Sequence, residues 1–210
     1  MPVLKLNHYG TKRAMLHESL QGLPLIGRGM FCAVFDRGDT VLKLTADRIQ
    51  YHFYTDYCAP TGDYYPTLVQ NHGPVGRQDE TDLYLVEMEK LTKIGLRAEC
   101  SDRAWIQRRE LMKAYQRHRG RLVSKFWHIC NPVTFSNEVS SATLYEISSD
   151  ESLEEDIRDL CGELSTFVSD YACSADFHRA NFMLRGDQLV LNDVVADVES
   201  LCAYKSIHRC

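Results

Sequence analysis

Asp176-Phe-His-Arg-Ala-Asn181 and, one short turn later, Leu189-Val-Leu-Asn-Asp193 set two carboxylates and an amide in a fixed order along the chain. The turn between them is Arg185-Gly-Asp-Gln188, and the run that follows is apolar until it ends in Asp193. Transfer of a phosphoryl group from a nucleotide needs such groups in such an order. One carboxylate orients the attacking hydroxyl, an amide oxygen holds magnesium, and a second carboxylate keeps the metal on the phosphates. Asp176, Asn181 and Asp193 are the corresponding candidates. The plainer alternative is that all three close turns through local hydrogen bonds. His178, inside the motif, reads as a brace for the loop and not as a proton acceptor.

Far upstream, Ile26-Gly-Arg-Gly-Met-Phe-Cys-Ala-Val34 places Gly27 and Gly29 between two strand-like pieces, with Phe31 and Val34 behind them. Glycines let backbone N–H groups approach phosphate oxygens closely, because no Cβ intervenes. Lys43 then sits inside the apolar run Val41-Leu-Lys-Leu44. A lysine buried in such a run needs an anionic partner, and phosphates would supply one. Otherwise it is an edge-strand lysine that points to water. The loop is not of the Walker type, since no Gly-Lys-Ser/Thr opens a helix.

The rest of the chain frames these motifs. Short strands are expected at 23–26, 32–35, 41–44, 67–75 and 83–88, with a helix over 46–57, which makes a small, mostly antiparallel sheet with one helix. The second half is helical first, at 101–119, where Trp105, Met112 and Tyr115 recur at helical spacing, and at 152–170. Ser152 and Glu155 there read as a capping box. The boundary between halves is set at 89/90, giving regions 1–89 and 90–210. The net charge of −5 argues against a general nucleic-acid coat, which needs excess Lys and Arg. No apolar run approaches the roughly 18 residues of a membrane span, and Met1-Pro-Val-Leu-Lys-Leu-Asn-His8 lacks a signal-peptide stretch. The eight cysteines form no C-x-x-C pair, so reduced thiols in a cytoplasmic protein are expected, with no zinc site.

Taken in order, these signposts resemble protein kinases. Gly27, Gly29, Phe31 and Val34 resemble the glycine-rich loop, and Lys43 resembles the lysine of the third strand. Val86-Glu-Met-Glu-Lys-Leu91 looks like the linker that binds adenine, with Met88, Glu89 and Leu91 as its contacts. Asp176 and Asn181 resemble the catalytic loop, and Asp193 the metal-binding aspartate. The D-x-H-x-x-N form is also similar to the aminoglycoside and choline kinase branch. The chain resembles most the small early serine/threonine kinases of T7-like bacteriophages, over roughly residues 23 to 197.

The resemblance implies an α+β, minimal bilobal protein-kinase-like fold, with an antiparallel N-lobe sheet, one helix and a reduced helical C-lobe. It implies ATP and Mg²⁺ as cofactors and Ser/Thr hydroxyls of host proteins, in transcription or RNA processing, as acceptors. Direct nucleic-acid binding and membrane contact are not expected. Several positions depart from the pattern. Cys32 stands at the third loop glycine, Ser174-Ala175 precedes the catalytic aspartate, and Val194-Val195 follows Asp193. No glutamate lies in 46–58 to pair with Lys43, and the short run after Asp193 implies a reduced activation segment. Two other functions stay open: a pseudokinase that binds and inhibits a partner, and a small-molecule phosphotransferase. The basic stretch from Arg103 to Lys125 reads as a solvated helix face, with a docking surface for an acidic partner as the alternative. The serines of Ser148-Ser-Asp-Glu-Ser152 are candidates for self-phosphorylation.

Overall fold

The computed structural model describes residues 17–58, 63–78, 81–95 and 101–199. The N-terminal stretch, Cys100, Cys202 and Cys210 lie outside them. The protein is α+β, and its chain divides into two compact units. The second is Leu91–Val198, and the first takes the described residues up to Lys90, together with Glu199.

The first unit is built on a five-stranded antiparallel sheet in the order β1-β2-β3-β5-β4. Its strands are β1 (Leu25–Arg28), β2 (Cys32–Asp36), β3 (Thr40–Thr45), β4 (Leu68–Gln78) and β5 (Thr81–Glu89). Side chains alternate across the pleat. Ala33, Phe35, Leu42, Leu44, Leu83 and Leu85 all fall on one face and form its buried core with Leu20 and Phe31. Helix α1 (Arg48–His52) begins at Asp47, whose Oδ1 accepts from the Gln50 N–H at 2.9 Å. It continues as a π-helical segment, Phe53–Cys58. Such widened turns often sit at functional positions.

The second unit combines three helices, α2 (Asp102–Phe126), α3 (Pro132–Ser148) and α4 (Glu155–Asp170), with two small sheets. One pairs β7 (Ser174–Ala175) with β10 (Val195–Ala196), and the other runs β6 (Thr92–Lys93), β8 (Phe182–Arg185), β9 (Gln188–Leu191). Helix α2 buries Ala104, Gln107, Leu111, Ala114, Tyr115, His118 and Leu122, a three-to-four spacing that marks one inward stripe. Trp105 and Met112 lie half-buried on its flank. Helix α3 was absent from the sequence expectation. Its start is nonetheless well formed: Pro132 opens it, and Asn131 Oδ1 accepts from the N–H groups of Val133 and Thr134.

The expected capping box is corrected. Glu154 precedes α4 without a side-chain cap, and the Ser152 hydroxyl instead donates to Asp150 at 2.6 Å. Acidic Glu155 and Asp156 in the first turn suit the helix dipole without it. Among the described residues, no helix is long and apolar enough to cross a membrane.

Candidate active site

Asp176, Asn181 and Asp193 come together in the second unit, and Asn181 is what joins them. Its Nδ2 donates to the Asp176 carbonyl at 2.8 Å, the Asp193 carbonyl at 2.8 Å and the Asp176 carboxylate Oδ2 at 3.2 Å. Three acceptors around one atom identify it as the amide nitrogen. The main chain locks the same pair of loops: the Asp176 N–H donates to Val194 O at 2.8 Å, and the Asn192 N–H to Asn181 O at 2.7 Å. His178 braces the motif, as its ring Nδ1 accepts from the Ala180 N–H at 3.3 Å. Asp176 is exposed, while Asn181 and Asp193 are half-buried. Asp193 has φ of 55°, the left-handed region that costs an ordinary L-residue on the order of 1 kcal/mol or more.

The elements behind this site hold its first strand from two sides. The Tyr115 hydroxyl of α2 donates to Ala175 O at 3.3 Å, and its ring lies 4.7 Å from that of Phe177. Burial raises the Tyr115 phenol above its ordinary range, which keeps it a donor. From α3, Asn137 Nδ2 donates to Val168 O at 2.6 Å and Cys173 O at 2.9 Å, and the Ser140 hydroxyl meets that of Ser174 at 2.9 Å. Ser174-Ala175, where the kinase pattern has His-Arg, is thus held by a hydroxyl and amide network. Sequence reasoning missed Tyr115, Asn137 and Ser140. The helical spacing of Tyr115 was read only as packing, and the helix that carries the other two was not expected.

In the first unit, direct strand partners share a face, and the register aligns Gly27 with Val34, Val34 with Lys43, and Lys43 with Val86. Met88, two residues on, shares that face. Four of the expected nucleotide contacts, Gly27, Val34, Lys43 and Met88, therefore form one patch opposite the apolar core. Phe31 is not in it, because its side chain is packed in the core. Gly29 has a local reason to be glycine: a Cβ there would lie 2.8 Å from Cys32 Sγ. Glu89 is tied to Thr67, donating its N–H to Thr67 O at 3.0 Å and accepting the Thr67 N–H at 2.7 Å. Leu91 is half-buried and opens the second unit. Lys43 is itself buried, and its Nζ donates to the Tyr54 hydroxyl at 2.8 Å.

No family model, curated protein or solved structure matches the chain. What the site can hold therefore rests on its own donor set. With its nitrogen committed, Asn181 has Oδ1 as its remaining polar atom, and Asp193 carries a carboxylate on a fixed backbone. Magnesium takes oxygen ligands and is commonly bound by one or two protein groups plus phosphates and water. Among the described residues, no group of three or more His, Cys, Asp or Glu could hold a metal ion. Asn181 and Asp193 present oxygen atoms, the ligand type magnesium takes, on two loops joined by the Asn181 amide.

The basic stretch on α2 is largely neutralised from within. Arg103 meets Glu154 at 3.3 Å, Arg121 meets Glu146 at 2.7 Å, Arg109 and Lys113 share Glu110, and Arg117 pairs with Asp150. Cys32 and Cys161 are buried thiols, and burial pushes Cys161 up to about 12, which leaves it inert.

Proposed function

We propose that the protein is an ATP-dependent kinase of minimal protein-kinase-like fold that phosphorylates serine or threonine hydroxyls. The observation that carries this reading is the Asn181 amide joined to both Asp176 and Asp193, so that base and metal positions are set by one side chain. The sheet patch of Gly27, Val34, Lys43 and Met88 supports it. In this reading Asp176 orients the acceptor hydroxyl and receives its proton. Asn181 Oδ1 and the Asp193 carboxylate hold magnesium, which when bound neutralises charge on the phosphates. Lys43 pairs with the non-transferred phosphates. Positioning and charge neutralisation dominate such transfers.

Host proteins in transcription or RNA processing are the acceptors suggested by the phage-kinase resemblance, and the cytoplasm the compartment. Transfer of labelled phosphate from ATP to proteins of a bacterial lysate is the test. Asp176→Ala is expected to lower the rate by about 10²–10⁴, the usual contribution of general acid–base catalysis. Unchanged labelling in that variant would remove the assignment. A second reading, a pseudokinase that binds and inhibits a partner, is favoured by Cys32, which stands where the kinase pattern has its third loop glycine. Its signature is nucleotide binding without turnover.

A further inference from the structure

Lys43 is 2% exposed and Tyr54 is 0% exposed, and they meet through a 2.8 Å hydrogen bond from Nζ to the phenol oxygen. The ammonium also lies 4.8 Å from the centroid of the same ring, within range of a cation–π attraction. One side chain thus offers Lys43 both a hydroxyl dipole and a π face. Two features fix Tyr54 in place. It lies in the π-helical segment that continues α1, and its ring packs edge-on to Phe53 at 5.9 Å. Helix α1 is in turn registered on β3, because Asp47, its cap, follows directly on Thr45 and Ala46, and the Thr45 hydroxyl donates to Gln50 Oε1 at 3.2 Å.

We propose that Tyr54 is a positioning residue for Lys43, holding the ammonium on the sheet face shared by Gly27, Val34 and Met88 so that it meets a nucleotide's phosphates. This deepens the kinase reading and rests on it. The chemistry of the partner matters. The phenol oxygen accepts from the ammonium and so fixes the direction in which it points. Removing the phenol oxygen takes away the orientation and leaves the ring and the charge.

Tyr54→Phe changes one atom, so the fold is expected to persist, checked by its thermal unfolding midpoint. Two readouts follow. In the nucleotide-free protein, the rate at which acetic anhydride labels Lys43, resolved by peptide mass spectrometry, is expected to rise at least about threefold over wild type. Labelling of exposed Lys113 is expected to stay constant. With Mg–ATP, the dissociation constant and the KM for ATP are expected to rise about three- to tenfold, the range of one net hydrogen bond. The kcat is expected to change far less. Tyr54→Leu, which also removes the ring, is expected to weaken binding further. Wild-type binding of Mg–ATP, with Tyr54→Phe labelling and binding equally well, overturns the positioning role alone. A wild-type protein that binds no Mg–ATP overturns the kinase reading and this role with it, and Lys43 labelling still reports whether the contact exists.

Discussion

Asn181 spends its amide nitrogen on two loops at once, and Asp193 sits in a left-handed backbone to be reached. Non-glycine residues persist in such a conformation where the surroundings over-determine it, often at functional sites. Asp193→Gly is therefore a discriminating substitution. Glycine adopts φ near 55° freely, so unfolding free energy in urea is expected to hold or to rise by up to about 1 kcal/mol. Metal-dependent phosphate transfer is expected to fall by orders of magnitude. A parallel loss of stability and activity would mean that the carboxylate is a turn-forming group. That Asp176, Asn181 and Asp193 belong to one site was legible in the sequence, because their residue types and spacing suggested a shared role. The site's tightest hydrogen bonds were not, since they go to main-chain carbonyls, which every residue has.

The longer strands were readable because their apolar runs are bounded by turn residues, as at Arg37-Gly-Asp39 and Arg185-Gly-Asp-Gln188, whereas the two-residue strands β6, β7 and β10 were not. Helix α3 was not. It carries Val133, Thr134, Ser136, Val139, Ser140, Ser141 and Thr143, β-branched and hydroxyl residues of poor helix propensity. Its helicity comes from packing: Val139, Ser140, Thr143, Leu144 and Ile147 are its buried stripe. The signal that could have found it was Asn131-Pro132, a cap followed by a first-turn proline. Because α3 supplies Asn137 and Ser140 to the strand that leads into Asp176, its cap has a reach beyond its own end. Asn131→Ala is expected to cost about 0.5–2 kcal/mol in a urea titration. Phosphate transfer is expected to decline with it, as the contacts of Asn137 with Val168 and Cys173 loosen.

Across the second unit, charge is arranged so that acids near the α3–α4 connection meet the basic side of α2. Asp150 is the hub. It accepts from the Ser152 hydroxyl at 2.6 Å and His118 Nε2 at 3.0 Å, and it pairs with Arg117. Hydrogen bonds from Ser152 first, and from His118 second, hold its carboxyl well below the usual carboxylate range. A folded-state value below the unfolded one means that this stabilisation is complete above the unfolded pKa of about 3.9 and is lost only as pH falls further. Asp150→Asn is thus expected to be less stable than wild type by a constant margin from pH 7 to about 4.5. The margin is expected to close in stronger acid, read from thermal unfolding across that range. The run of basic residues suggested a solvated face; the pairing that answers it joins α2 to residues 25 to 51 positions away and needed the fold to be seen.

The contact between position 29 and the sulfur of Cys32 also constrains how this chain can have changed over time. A Cβ at 29 would lie 2.8 Å from that sulfur, so a side chain there needs the thiol to move or to be lost. Changes at the two positions are therefore coupled through one contact. Among descendants of this sequence the two sites are expected to vary as a dependent pair.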